Sequence, residues 1–302
     1  MNVLSLFDGI RCGRIALERA GINVDNYYSS EVDKYAIQVA DKNYPEDIEN
    51  KLGDVTKIDL SKLPKIDLLI GGSPCVGFSL AGKKNGMSTK ENVKIISLNQ
   101  YLKLKEEGFE FDGQSYLFWE FVNALHILKP KYWMLENVKM NKKWLDIINF
   151  TLGEKAIEIN SSLLSAQNRK RLYWFNWEID DIIPNNIELK TILENKEFKE
   201  VVFNANQKLK FDKINTTSIK MGTLTEATVS RGGSSYEYLS MLKRVKMITN
   251  KLRKLTPIEC ERLQTLPDNY TNGVSNSQRY KMIGNGWTVD VIAHIFKGLR
   301  EE

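Results

Sequence analysis

The chain has 302 residues, 42% of them apolar and 27% charged, with a formal net charge of +5. That length builds one large domain, or a large and a small one, with a sizeable core and an ordinary globular composition. No apolar run approaches the roughly 18 residues of a membrane span, and three separated cysteines without a CxxC pair (Cys12, Cys75, Cys260) fit neither a disulfide framework nor a zinc site.

Residues 2–7 (NVLSLF) read as a buried strand, and Gly9 and Gly13 flank the turn after it. Residues 14–20 read as a helix closed by Gly21. A second strand covers 26–30, and a helix over 34–43 stops before Pro45. The apolar run 66–70 ends in Gly71-Gly72-Ser73-Pro74-Cys75. Residues 80–113 form a long polar excursion whose 98–111 part can carry its own short helix. Such loops beside a reactive residue are often lids, and an insertion without a role is the other reading. Residues 116–128 read as a helix with a broad apolar face, and the run 132–135 ends in Glu136-Asn137-Val138. From 184 to about 252 the βα alternation disappears, and Gly222–Thr225 and Arg231–Ser234 read as loops of a small, irregular second domain. Thr256-Pro257 starts a helix, with Thr256 as cap and Pro at its first position. Gly284-Asn285-Gly286 opens a final helix over 289–299.

The first 75 residues have the alternation of an open α/β sheet. Candidate functional residues recur just past strand ends, the edge at which such sheets bind ligands. The turn Phe7–Gly13 admits close backbone approach, and Glu31, 18 residues beyond Gly13, can accept hydrogen bonds from ribose hydroxyls. The GxGxxG spacing for a pyrophosphate is absent, so an adenosine ligand without one fits better. Cys75, displayed after two glycines and a proline, is a candidate thiolate nucleophile; a buried structural cysteine is the alternative. Glu136 is a candidate acid or hydrogen-bond acceptor at the same edge. The basic turn Gln167-Asn168-Arg169-Lys170-Arg171 can hold phosphates or a base edge. His126 and His294 lie far apart in apolar helical stretches and read as structural, which argues against a histidine metal site or triad.

Charge is unevenly spread. Residues 184–254 hold 14 Lys/Arg against 7 Asp/Glu, whereas the remainder holds 29 against 31. A module touching phosphates leaves this footprint, as does a solvated basic surface. The N-terminus lacks a basic n-region, so no signal peptide is expected, and the free cysteines suit a reducing cytoplasm.

Taken together these motifs resemble the cytosine-C5 DNA methyltransferases over nearly the full length. In order they are FDGIRCG, SEV, GDV, GGSPC, ENV, QNRKR, LTPIECERLQTLPDNY and GNGWTV. Several look particularly like the Dnmt3-type branch and its phage-like relatives. The resemblance implies an α/β Rossmann-like methyltransferase domain over 1–183, a target-recognition domain over 184–254, and a segment 255–302 that returns to the first. It implies S-adenosylmethionine as cofactor, surrounded by Phe7, Asp8, Gly9 and Gly13, by Glu31 and Val32 at the ribose, and by Asp54 and Val55 at the adenine. Gly72, Pro74, Asn285, Gly286 and Trp287 would complete that site. Cys75 would attack C6 of the base, Glu136 engage N3 and the amine, Asn137 hold the Pro74-Cys75 backbone, and Arg169 and Arg171 bind the flipped base and its phosphate. Arg231, Gly232, Gly233 and Ser79 would face DNA. The implied partner is double-stranded DNA, bound by a monomer or an oligomer without metal or membrane, in a restriction-modification setting with or without a cognate restriction enzyme. A tRNA cytosine-C5 methyltransferase and a catalytically silent DNA-binding relative are the rival readings.

The chain departs from the family pattern at four places. Arg11 stands where many relatives have glycine, and it either aids binding of the methionine carboxylate or points to solvent. Val76 replaces a common glutamine, Gln114 a frequent arginine, and the 80–113 excursion is longer than in most relatives.

Overall fold

A computed structural model describes residues 1–75, 77–78, 86–195, 199–200, 251–252 and 255–299. The N-terminal alternation builds strands β1 (Asn2–Leu6), β2 (Asn26–Ser30) and β3 (Leu68–Gly72), with helices α1 (Cys12–Ala20) and α2 (Lys34–Asn43) between the first three. Gly21 ends α1 in the left-handed conformation and Asp33 caps α2. The excursion contains the antiparallel pair β4 (Ser88–Thr89) and β5 (Phe111–Asp112), separated by α3 (Leu98–Glu106). Then come α4 (Phe118–Leu128), β6 (Tyr132–Val138), α5 (Lys142–Leu152), β7 (Ile157–Asn160), β8 (Lys170–Phe175) and the single turn α6 (Leu189–Ile192). The short antiparallel pair β9 (Lys199–Glu200) and β10 (Lys251–Leu252) precedes α7 (Pro257–Leu263), α8 (Asn276–Asn285) and α9 (Val289–Phe296).

The main sheet has the order β2-β1-β3-β6-β8-β7. Pairs from β2 through β6 are parallel, and β8 runs antiparallel to both neighbours. β1 has β2 on one side and β3 on the other, so the chain reverses direction of travel between β1 and β3. The crevice past their carboxyl ends is where such sheets take ligands.

Strand alternation divides the core. Val3, Leu68, Ile70 and Met134 face one layer with α1, α2 and α9. Leu4, Leu6, Leu69 and Leu135 face the other, with Phe118, Trp119 and Phe121 of α4 and Trp144 and Ile148 of α5. A third cluster joins Leu189 and Ile192 to Leu255, Cys260, Leu263, Tyr280 and Ile283.

Several sequence expectations need correction. β6 runs to Val138, so Glu136 and Asn137 lie inside a strand rather than beyond it. The antiparallel partner β8 extends the pairing through these residues. Gly284 and Asn285 form the last turn of α8, so the 284–286 motif closes one helix before α9 opens. The helix of the excursion ends at Glu106, and its remainder returns as β5. Met87, Ser88, Thr89, Ile95 and Tyr101 are buried, so residues 86–113 are part of the core layer rather than a loop over it. His126 is exposed on α4. Among the described residues no helix is long and apolar enough to cross a membrane.

Candidate active site

Pairing of β3 with β6 sets Gly72 directly opposite Glu136, three residues before Cys75. Asn137 is buried, and its Nδ2 donates to the Ser73 carbonyl at 3.1 Å and to Ser73 Oγ at 3.0 Å. The bend that displays Cys75 is therefore held from the neighbouring strand, one residue earlier than the Pro74-Cys75 step. Phe78 N donates to the Cys75 carbonyl at 2.9 Å. Farther on, Gly77 N donates to Ser115 Oγ and Gly86 N to the Gly77 carbonyl, both at 2.9 Å. A Cβ on Gly86, at φ +65°, would lie about 2 Å from the Trp144 indole, so only glycine fits there. Pro74 and Cys75 are partly exposed. Burial pushes the Cys75 thiol up, Glu136 adds to the shift, and Arg171 and Arg169 oppose it. The resting residue is therefore a neutral thiol.

Glu136 is held at both carboxylate oxygens. Arg171 Nε lies 3.2 Å from Oε1, and Trp287 Nε1 donates to Oε2 at 3.1 Å. A Cβ on Gly72 would come within 2.8 Å of Trp287 Nε1, so this glycine makes room for the indole. Arg169 is buried, and Nη2 donates to the carbonyls of Gly284 and Gly286 at 3.3 and 3.0 Å. Burial lowers its pKa to about 9, which leaves it charged at pH 7. These bonds give Arg169 a hold on the turn that carries Trp287.

The residues expected at the cofactor lie on the other side of the crevice. Phe7 and Gly9 have positive φ, +59° and +60°, and the position of a Gly9 Cβ is open, with nothing within 4 Å. Glu31 accepts from Gly9 N at 2.8 Å, Val32 N at 2.7 Å and Asp33 N at 2.8 Å. A carboxylate has about four acceptor positions, so one remains for a ribose hydroxyl. Val32 is 69% exposed, an apolar surface beside that carboxylate. Asp8 N donates to the Ser30 carbonyl and Leu52 N to that of Ser29. Ser30 Oγ reaches the Gly53 carbonyl at 2.7 Å, so the three turns that follow β1, β2 and residue 52 are tied together. Asp54 caps the 3-10 turn Val55–Lys57, and Val55 packs on the core. An open glycine turn, a fixed carboxylate and an exposed valine suit an adenosine ligand.

Three members of the predicted set act from behind. The Asp8 side chain is buried and accepts from Tyr27 Oη at 2.7 Å. Gly13 is a packing glycine, since a Cβ there would lie 2.6 Å from Ile70 Cδ1. Gly286 likewise passes close to Cys12 Sγ. Arg11 takes neither predicted course. It is 1% exposed, at φ +63°, and donates to the Tyr44 carbonyl at 2.8 Å. Its guanidinium turns toward Asp41 of α2 and Asp47 just beyond it, with Asp8 also within 3.9 Å. Val76, Ser79, Arg231, Gly232 and Gly233 lie outside the described residues.

The sequence reading missed several supports. Buried Gln264 donates to the carbonyls of Ile283 and Gly286 and accepts from Thr288 Oγ1. Tyr270 Oη donates to the Ile10 carbonyl at 2.7 Å, which fastens the turn after β1. Both lie in the LTPIECERLQTLPDNY stretch, whose conspicuous signal was its helix start rather than these polar tips.

The family model for C-5 cytosine-specific DNA methylases matches residues 1–216 and 177–301. Type II methyltransferase M.NgoBI of Neisseria gonorrhoeae is 30% identical over 96% of this chain and 90% of its own length. Type II methyltransferase M.HhaI of Haemophilus parahaemolyticus is 28% identical over 98% of this chain and 93% of its own. Among solved structures, the Entamoeba histolytica methyltransferase EhMeth aligns over 100% of this chain and 99% of its own, with TM-score 0.67 at 18% identity. With Cys75, Glu136 and Arg171 gathered at one sheet edge and the family model matched over residues 1–301, the chain belongs to the C-5 cytosine-specific DNA methylase family, whose enzymes use S-adenosylmethionine as methyl donor.

Proposed function

We propose that this chain methylates C5 of a cytosine flipped out of double-stranded DNA, through a covalent bond between Cys75 Sγ and C6. The observation that carries the reading is the pairing of Gly72 with Glu136, which brings Cys75 and a carboxylate held on two sides to one edge.

Cytosine C5 is a poor nucleophile. Cys75 loses its proton to solvent, and the thiolate adds to C6, which breaks the C5–C6 double bond. Negative charge moves toward N3, which takes a proton from the Glu136 carboxyl, and Arg171 and Trp287 hold the carboxylate left behind. S-adenosylmethionine, when bound, supplies an electrophilic methyl group for C5. Loss of the C5 proton to water, departure of the Cys75 thiolate and return of the N3 proton to Glu136 restore the ring. The target atom is inaccessible in a stacked duplex, so the base is extruded at a cost of a few kcal/mol. Phe7, Gly9, Glu31, Val32, Asp54 and Asn285 hold the donor in this reading.

The segment 184–254 selects the sequence. Its charge surplus supports this role, and Leu189 and Ile192, packed on Leu255 and Leu263, root it on the core. Arg231 contacts a base or phosphate. An active chimera carrying a relative's 184–254 segment but methylating the original site would overturn this part.

The deciding test of the chemistry uses labelled methyl donor and a duplex with 5-fluorocytosine at the target. The wild type should form a protein–DNA adduct that survives denaturation, because fluorine cannot leave as the proton does. Cys75→Ser should abolish transfer and trapping while binding cofactor normally. Methylation by that variant at the wild-type rate would remove Cys75 from its role, and transfer to tRNA but not duplex DNA would change the substrate.

A further inference from the structure

The excursion after the nucleophile carries a helix whose last turn reaches back to the cofactor side. Lys105 of α3 sends Nζ to Glu120 Oε1 at 2.5 Å and to the Thr56 carbonyl at 3.3 Å. Thr56 belongs to the turn capped by Asp54, which accepts from Thr56 N at 3.0 Å and from Thr56 Oγ1 at 2.8 Å. Glu120, on α4, is 5% exposed and receives a second hydrogen bond from Tyr101 Oη. The rings of Tyr101, Phe111 and Tyr116 pack together beside this cluster, with Phe111 stacked on Tyr116 at 4.4 Å. One lysine thus joins the excursion, α4 and the Asp54 turn.

A partly exposed lysine ordinarily keeps its ammonium in water. Here a buried carboxylate draws it inward, and its remaining reach is directed at one carbonyl of one turn. Burial works against the Asp54 carboxylate, but Thr56 hydrogen bonds, Lys57 and Lys105 together hold its pKa below the ordinary range.

We propose that Lys105 is a positioning residue for the cofactor, and that the 86–113 stretch acts through it as a buttress for the adenine-side turn at Asp54. The proposal rests on the reading of Asp54 as a cofactor residue. It gives the excursion a function in donor binding, independent of DNA.

Calorimetry with S-adenosylhomocysteine, on the full chain without DNA, tests both levels. Loss of Lys105 alone leaves Glu120 buried without its cation, so Lys105→Met is paired with the double variant Lys105→Met/Glu120→Gln, which removes that charge as well. Urea unfolding follows each variant. The double variant should bind about 3- to 10-fold more weakly, the magnitude of one lost hydrogen bond, and Lys105→Arg should restore most of the affinity. In methylation assays the KM for the donor should rise more than kcat falls. Asp54→Ala should weaken binding in the wild-type background and should add less in the double variant. If Asp54→Ala weakens binding while the double variant binds as the wild type does, the buttress is wrong and the Asp54 reading stands. If Asp54→Ala leaves binding unchanged, the adenine-side reading fails and takes the proposal with it.

Discussion

Trp287 Nε1 donates to Glu136 Oε2 at 3.1 Å across 151 residues of sequence. With Arg171 on the opposite oxygen, the indole fixes the rotation of the Glu136 carboxylate. Trp287→Phe keeps most of the apolar volume and removes the donor. A hydrogen bond to a charged group contributes ~1.5–3 kcal/mol, so single-turnover methyl transfer should slow by about 10-fold or more with the fold intact. A wild-type rate would mean that Arg171 alone orients Glu136.

The charges around Cys75 give two substitutions of opposite effect. Burial raises its pKa, Glu136 raises it further, and Arg171 lowers it. Thiolate appears only as pH rises through this elevated value, so alkylation of the free enzyme by iodoacetamide should accelerate at higher pH than for an ordinary thiol. Glu136→Gln should move the midpoint down, and Arg171→Met should move it up. Shifts of the same sign in both variants would leave burial as the sole control.

Much of this site was legible because its chemistry sits in contiguous motifs at strand ends. The displayed Cys75 and the turn beginning at Phe7 follow from glycine and proline placement, and Thr256-Pro257 forms the expected cap. Helix α8 was missed because only Tyr280, Met282 and Ile283 supply its apolar stripe, and its final Gly284-Asn285 reads as a break. The signal that could have found it was Ser275 with Gln278 three residues on, an N-cap pattern. The course of Arg11 was invisible for a different reason. Its partners are the Tyr44 carbonyl, Asp41 and Asp47, more than one helix away, and only the fold brings them together. Local sequence likewise could not show that Arg169 and Gln264 converge on the same turn.

Asp8 should make stability depend on pH. Burial raises its carboxyl pKa from 3.8 to about 6, against the hydrogen bonds of Tyr27 and Ser5 and the charge of Arg11. The folded chain therefore keeps a proton that the unfolded chain has lost. This contribution is fully present below 3.8 and disappears as pH rises through about 6. Asp8→Asn cannot titrate, so the stability of wild type minus variant should fall across that interval, by at most ~3 kcal/mol. Urea unfolding of both proteins at acidic and neutral pH reads the difference. A constant difference would show that Asp8 does not titrate in that window.

Arg11 sets backbone strain against buried charge. A non-glycine residue at φ +63° costs ~1–2 kcal/mol. The side chain offsets this through the Tyr44 carbonyl, the rings of Tyr27 and Tyr44, and three carboxylates, although its Nε makes no hydrogen bond. Arg11→Gly removes the strain and the cation together, leaving Arg14 at 3.4 Å from Asp47 as the remaining guanidinium there. Breaking a buried pair costs ~3–5 kcal/mol, more than the strain relieved, so this variant should lose ~1–4 kcal/mol. Arg11→Met loses the cation and keeps the strain, and should be ~1 kcal/mol less stable than Arg11→Gly. Urea unfolding at neutral pH should therefore rank wild type above glycine and glycine above methionine. If the glycine variant matched the wild type, the carboxylates would be compensated without Arg11; if methionine outranked glycine, strain at this position would not be the cost inferred from its φ.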